Sequence, residues 1–191
     1  MRYRQIISIL NNEKTLTHEE EENIRKHFQF AKSKKYEIVL PCNSVCDKIF
    51  FINKGIIRAH FSNEKGKNVT RVIASENHFL TNMISFRTLS RSIEAFECLE
   101  DTEYIYITKG NLNALLERSP LFRIKYCEIL EIYNANQINH IHSITNSDVC
   151  AKIQYLKSNY SNIIGRVSDQ ILASFIGVSR ETIGRNKNQL Q

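Results

Sequence analysis

The spacing of apolar positions changes character along the chain, and each change predicts a different element. Thr17-His18-Glu19-Glu20-Glu21-Glu22 opens a helical pattern. Thr17 can cap it, and the acids complement the positive end of the helix dipole. Ile24, Phe28 and Ala31 then fall at i, i+4 and i+7, a single face of a helix reaching Ala31. From Lys35 to Ile107 the period shortens. Residues 36–40, 48–52 and 55–61 read as strands. Residues 63–67 read as a turn with Gly66 free to take positive φ, and residues 69–73 complete a hairpin. Residues 92–98 and 103–107 add two short strands. Many short strands at regular spacing predict a sandwich, barrel or roll.

Pro120 then opens a stretch without Gly or Pro that runs to Ile144, and proline suits the first turn of a helix. Such a helix is about 36 Å long. Steps of three and four select Cys127, Leu130, Asn134, Gln137, Ile141 and Ile144, and a second stripe selects Tyr126, Ile129 and Tyr133. Two arrangements fit. One stripe packs on the β region while the other meets a twin helix, or the whole helix is buried in one globule. Asn134 and Gln137 interrupt the first seam. Cys127 is expected to pack.

The tail carries the most specific pattern. Ser168 can cap a helix whose Ile171, Leu172 and Phe175 form an apolar face. Gly177 can adopt the left-handed conformation that stops it. Ser179 caps a second helix after Val178. Helix, glycine turn and capped helix are what a helix-turn-helix requires. At about 100° per residue, Arg180, Glu181, Gly184, Arg185 and Asn188 share one polar face, opposite Ile183 and Leu190. Arg180 and Arg185 can each donate two hydrogen bonds to guanine, and Glu181 can accept from cytosine. The plainer reading is a solvated helix with a Glu181–Arg185 ion pair.

Composition narrows the class. With 191 residues, 42% of them hydrophobic, the chain can form one ordinary domain or two small ones. Only 6 Gly and 2 Pro exclude collagen-like and linker-dominated chains. No run approaches the roughly 18 apolar residues of a membrane span. The basic start loses its apolar character after Leu10, where Asn11, Asn12 and Glu13 follow, so a secretory signal is not expected and the expected compartment is the cytoplasm. The net charge of +6 suits a polyanionic partner. In residues 146–191, Lys152, Lys157, Arg166, Arg180, Arg185 and Lys187 outnumber Asp148, Asp169 and Glu181.

Other chemistry finds little support. The five cysteines are expected to be thiols. Cys42 and Cys46 could form a redox disulfide or bind metal with remote ligands, but they supply only two of the roughly four thiolates a cluster needs. Two small residues at a β-turn fit them better. His140 and His142 point about 200° apart on a helix and cannot chelate one ion. An oxygenase needs two histidines and a carboxylate on strands, and His60 and His78 are the only histidines of the strand region. No catalytic residue, metal or cofactor is expected. Arg58, Arg71 and Arg87 read as solvent-facing charges.

The segment Ile176-Gly177-Val178-Ser179-Arg180-Glu181-Thr182-Ile183-Gly184-Arg185 resembles the recognition motif of the Crp/Fnr superfamily of bacterial transcription regulators, whose pattern is Gly-x-Ser-Arg-Glu-Thr-aliphatic-x-Arg. Phe51-Ile52-Asn53-Lys54-Gly55-Ile56-Ile57-Arg58 resembles the family's strand signature. Residues 79–86 and 93–103 are similar to a Bacteroidetes-like branch, and the likeness extends over nearly the whole chain. The resemblance implies an α+β fold with three parts. These are a β-roll sensor domain, cupin-like and cyclic-nucleotide-binding-like, with flanking helices (residues 1–119), a dimerisation helix (120–145) and a helix-turn-helix domain (146–191). The wing is expected to be reduced, because residues 159–166 are few.

By the same resemblance the chain is a regulator, not an enzyme. It binds double-stranded DNA as a homodimer on a palindrome with TGTGA-like half-sites, and RNA polymerase is a further partner. Ser168, Ser179, Arg180, Glu181, Thr182 and Arg185 would meet DNA. Cys127, Leu130, Asn134 and Ile141 would lie on the dimer helix. The family's nucleotide cassette has a Gly-Glu pair and an Arg-Ser pair. Thr81 and Asn82 stand at the first, and Arg91 and Ser92 offer the second with a one-residue offset. Asn82 is not a carboxylate, so cyclic AMP is not expected and the pocket would hold an effector of other chemistry or none. The competing reading is a β-roll ligand-binding or metal-dependent protein with a degenerate DNA-binding motif.

Overall fold

A computed structural model describes residues 2–11, 16–145 and 148–190. Residue 146, where the third segment was expected to begin, lies outside them, as do Asn12 and Glu13. After a short helix α1 (Arg4–Leu10), helix α2 (His18–His27) starts on the expected cap. The Thr17 hydroxyl accepts from the Glu20 amide at 3.3 Å, and the Glu20 carboxylate accepts from the Thr17 amide at 2.9 Å. This helix stops short of Ala31. Phe28 is extended, and Gln29–Ser33 forms strand β1, with Ala31 opposite Tyr104. Local spacing favoured a helix, but strand pairing with a segment some seventy residues away prevailed.

The strands that follow are β2 (Ile38–Leu40), β3 (Lys48–Lys54), β4 (Ile57–Ser62), β5 (Asn68–Ala74), β6 (Phe79–Leu80), β7 (Ala95–Cys98) and β8 (Thr102–Thr108). They form two antiparallel four-stranded sheets, ordered β1-β8-β3-β6 and β2-β7-β4-β5. Phe50 and Ile52 point into the core between the sheets with Ile57, Leu80 and Phe96. Ile49 and Phe51 point the other way, under α1, α2, α4 (Lys109–Arg118) and the start of the long helix. Both faces of β3 are therefore buried, which explains its unbroken apolar run. The turn after β3 requires Gly55, with φ at +100°. A Cβ there would lie 2.5 Å from the Thr102 hydroxyl and 2.8 Å from the Thr102 Cα.

Helix α5 (Pro120–Thr145) has 26 residues, and its two stripes go different ways. Tyr126 and Ile129 pack against the helix-covered face of the first sheet. Cys127, Asn134 and Ile141 are exposed and Leu130 is half-buried. Cys127 thus does not pack within the single chain. The reason is angular: the inward direction of α5 lies along Phe122, Lys125 and His140, and Cys127 lies off that side. Among the described residues, no helix is long and apolar enough to cross a membrane.

Helix α6 (Val149–Tyr160), a 3-10 turn (Ser161–Ile163), α7 (Asp169–Ile176), α8 (Arg180–Arg185) and α9 (Lys187–Leu190) complete the chain. Their core includes Ile153, Leu156, Leu172, Phe175, Ile176 and Ile183, and Ile56, Ile73 and Leu99 of the β domain join it. Strand β5 is an open edge, and α7 covers it. The Ser174 hydroxyl accepts from the Thr70 amide at 2.9 Å and donates to the Asn68 carbonyl at 3.2 Å. An unpaired edge invites foreign strands, and here a helix side chain meets its backbone groups instead.

Candidate nucleic-acid interface

The tail folds as two capped helices around a glycine turn. The Ser168 hydroxyl accepts from the Ile171 amide at 3.4 Å and begins α7. Gly177 ends it in the left-handed region, at φ +66°, and the Val178 amide returns to the Ala173 carbonyl at 3.0 Å. The nearly buried Lys152 donates to the Gly177 carbonyl at 3.4 Å, placing a cation at the negative end of α7. Ser179 caps α8 by accepting from the Thr182 amide at 3.1 Å. Ile183 and Leu190 are buried and hold this end of the chain to α6 and α7.

That anchoring turns the opposite side outward. Arg180, Glu181, Gly184 and Arg185 are all exposed. Thr182 is half-buried and its hydroxyl lies 3.0 Å from that of Ser179, so it supports the cap. The Glu181–Arg185 ion pair does not form, and among the described residues neither Arg180 nor Arg185 is in any ion pair. The Glu181 carboxyl is held below the usual carboxylate range by its own backbone amide and the Ser179 hydroxyl, with the two arginines adding to this. Both guanidinium groups therefore keep their hydrogen-bond forks free. The second helix is also shorter than its apolar spacing suggested. Asn186 breaks it, and Asn188 sits on the separate turn α9 rather than on the face of α8. Gly184 weakens propagation at that point.

Between α6 and α7 the chain has only the 3-10 turn and a single bridge between Ile164 and Val167. Arg166 from this turn reaches back to the β domain. It donates to Glu76 at 2.7 and 3.0 Å and pairs with Glu100. Burial would raise the Glu76 carboxyl, but Arg166 and the Gly55 amide draw it down to about 2.

Of the four residues expected at a nucleotide cassette, Asn82, Arg91 and Ser92 line a cavity of about 390 Å³. Most are engaged. Thr81 is buried, donates to the Lys48 carbonyl at 2.9 Å and does not line this cavity. Asn82 caps helix α3 (Met83–Thr88) and donates to Glu94 at 2.7 Å. The buried Ser92 hydroxyl exchanges hydrogen bonds with the Glu94 backbone at 3.0 Å. Arg91 alone is exposed. Sequence spacing missed the group at the centre. Arg71 forms a two-point pair with the buried Glu94 and donates to Tyr133 and Gln137 of α5, each at 3.3 Å. Arg58 likewise pairs with Glu97 at 2.5 Å. Neither arginine is the solvent-facing charge expected, because residues far apart in sequence supply their carboxylates: Glu97 from the paired strand β7, and Glu94 from the segment just before it. Cys42 is exposed and Cys46 buried, both as thiols. Among the described residues no cluster of three His, Cys, Asp or Glu side chains could hold a metal ion.

No protein-family profile matches the sequence, and no curated protein matches it. Solved structures do. FixK2 from Bradyrhizobium japonicum superposes with a TM-score of 0.70 at 11% identity, covering 85% of this chain and 84% of its own. The c-di-GMP responsive global regulator CLP of Xanthomonas campestris gives 0.69 at 16% identity, covering 92% of each chain. A CooA variant from Carboxydothermus hydrogenoformans gives 0.69 at 16% identity, covering 96% of this chain and 82% of its own. A candidate regulator of the crp/fnr family from Eubacterium rectale gives 0.66 at 17% identity, covering 92% and 84%. The two antiparallel sheets, long helix and terminal helices of this chain are thus the fold of these four structures.

Proposed function

We propose that this chain is a DNA-binding transcription regulator without enzymatic activity. It acts as a homodimer whose α8 helices enter successive major grooves of a palindromic site. One observation carries the reading: α8 is capped at Ser179 and anchored by Ile183, and it presents Arg180, Glu181, Gly184 and Arg185 outward with both arginines unpaired. Such forks match the guanine edge. The regulators with this fold, and the motif shared with the Crp/Fnr pattern, support it. Ser168 and Ser179, at the starts of α7 and α8, would orient their helix ends toward phosphates. The turn bearing Arg166 stands where a wing would be and is committed to the β domain. By resemblance the half-site is TGTGA-like and RNA polymerase is a partner.

The sensor pocket is read as one that does not take cyclic AMP. Asn82 and Ser92 spend their hydrogen bonds on Glu94, and the Arg71–Glu94 pair occupies the polar centre. An effector of other chemistry would have to work around that pair.

Selection of duplexes from a random pool tests the reading. Recovered sites should be palindromes with half-sites about 34 Å apart. Arg180→Ala and Arg185→Ala should each cost about 1–3 kcal/mol, confined to one base pair of each half-site. Equal binding of scrambled and selected duplexes by the unaltered chain would refute sequence reading.

A further inference from the structure

The β domain borders α8 directly. A groove of about 730 Å³ runs between the two, with Arg180, Glu181, Ser179 and Gln170 on one wall. The other wall carries Arg58, Glu97 and the β4–β5 hairpin tip at Gly66, Lys67 and Asn68. On the far side of Arg180 a second groove, of about 870 Å³, is edged by Lys157 and Lys187. Arg180 therefore stands between two sets of cations, one of which belongs to a different part of the fold.

We infer that the β4–β5 hairpin is a second DNA-contacting element, in which Lys65 and Lys67 bind the phosphate backbone beside the segment read by α8. The inference rests on the proposed DNA binding and extends its surface. Three observations support it. Lys65, Gly66 and Lys67 are exposed, and among the described residues neither lysine is in an ion pair. The tip is held in one shape. The Asn63 side chain accepts from the Lys65 and Lys67 amides at 3.1 and 3.0 Å, and Gly66 takes φ +71°. Its base is tied to the DNA-reading unit through Ser174, which bonds Asn68 and Thr70. A preset cationic tip loses little freedom on meeting a phosphate. The acids nearby do not cancel it: Glu97 is matched by Arg58, Asp169 lies 3.6 Å from Lys187, and Glu64 and Glu181 leave the cations in excess.

The chemistry also fits what the tail lacks. The turn between α6 and α7 is short, and its Arg166 is engaged by Glu76 and Glu100. Flanking phosphates must then be met from elsewhere, and the hairpin is a neighbouring element with free positive charge.

The test compares the full chain with Lys65→Gln/Lys67→Gln and Lys65→Arg/Lys67→Arg on a selected duplex and a scrambled one, over a range of salt. The glutamine variant should weaken both duplexes by a similar factor, about tenfold or more at low salt. It should also flatten the plot of log affinity against log salt by about 1.8 per subunit engaged. The arginine variant should retain the slope. Thermal unfolding of each variant should match the unaltered chain, because both lysines are exposed and, among the described residues, in no ion pair. If the unaltered chain binds and the glutamine variant keeps its slope and affinity, the hairpin contact is wrong while the regulator reading stands. A loss limited to the selected duplex would mean base reading and would also overturn it. An unaltered chain that binds no duplex overturns both.

Discussion

His140 shows how much one side chain can depend on its surroundings. It lies buried on α5, stacked on Phe175 of α7 with ring centroids 4.2 Å apart and planes 11° apart. Tyr155 of α6 lies 6.0 Å away and Arg71 of β5 is the nearby charge. Among the described residues the Nδ1 atom has no hydrogen-bond partner. Burial, reinforced by Arg71, lowers this imidazole from about 6.5 to about 4. The neutral ring is the form the fold accepts, so its contribution is complete above about pH 6.5 and is lost as pH falls towards 4. The size of that loss is about 3 kcal/mol. Denaturant titrations of the chain and of His140→Phe should diverge in this window, with the histidine form losing more stability. Parallel curves would show that protonation is tolerated. The stacking could not be anticipated from spacing, which indicated only that His140 and His142 face apart.

At the scale of elements, capped helices were legible and strand pairing was not. Thr17, Ser168 and Ser179 each cap the helix their position suggested, because a cap is settled within four residues. Helix α8 has only six residues and relies on this device. Ser179→Ala should destabilise it by about 1 kcal/mol, seen as faster amide exchange at Thr182 and Ile183 with little change in α5. Unchanged exchange at those amides would mean the buried Ile183 alone holds the helix. Strand β1 and helices α1 and α4 were not legible, since their apolar residues acquire a direction only from β8 and the outer sheet face. The Arg71–Glu94 and Arg58–Glu97 pairs were illegible for the same reason: partners 23 and 39 residues apart are brought together by the fold, the second pair directly by β4–β7 register.

For the whole molecule, the central question is what meets the outer side of α5. Ile124, Ile138 and Ile141 are exposed there, in line with Cys127 and Asn134. Steps of three, four and seven residues keep these five on one stripe. The proposed dimer covers this stripe with a second copy, which removes apolar area from water at both helices. Ile138→Lys with Ile141→Lys should convert the dimer to monomers in sedimentation and abolish cooperative binding to two half-sites, while the monomer keeps its fold. A dimer that survives both changes would place the twofold contact elsewhere.

The sequence by itself determined the capped terminal helices, the long unbroken helix after Pro120 and the strand-rich middle. These follow from caps, glycines and periods that act within one or two turns of chain. Tertiary structure alone decided which stripe of α5 turns inward, where Arg71 and Arg166 find their carboxylates, and that the β4–β5 hairpin stands beside Arg180. Those outcomes depend on segments far apart in sequence arriving on neighbouring strands and helices, and no local pattern encodes the distance between them.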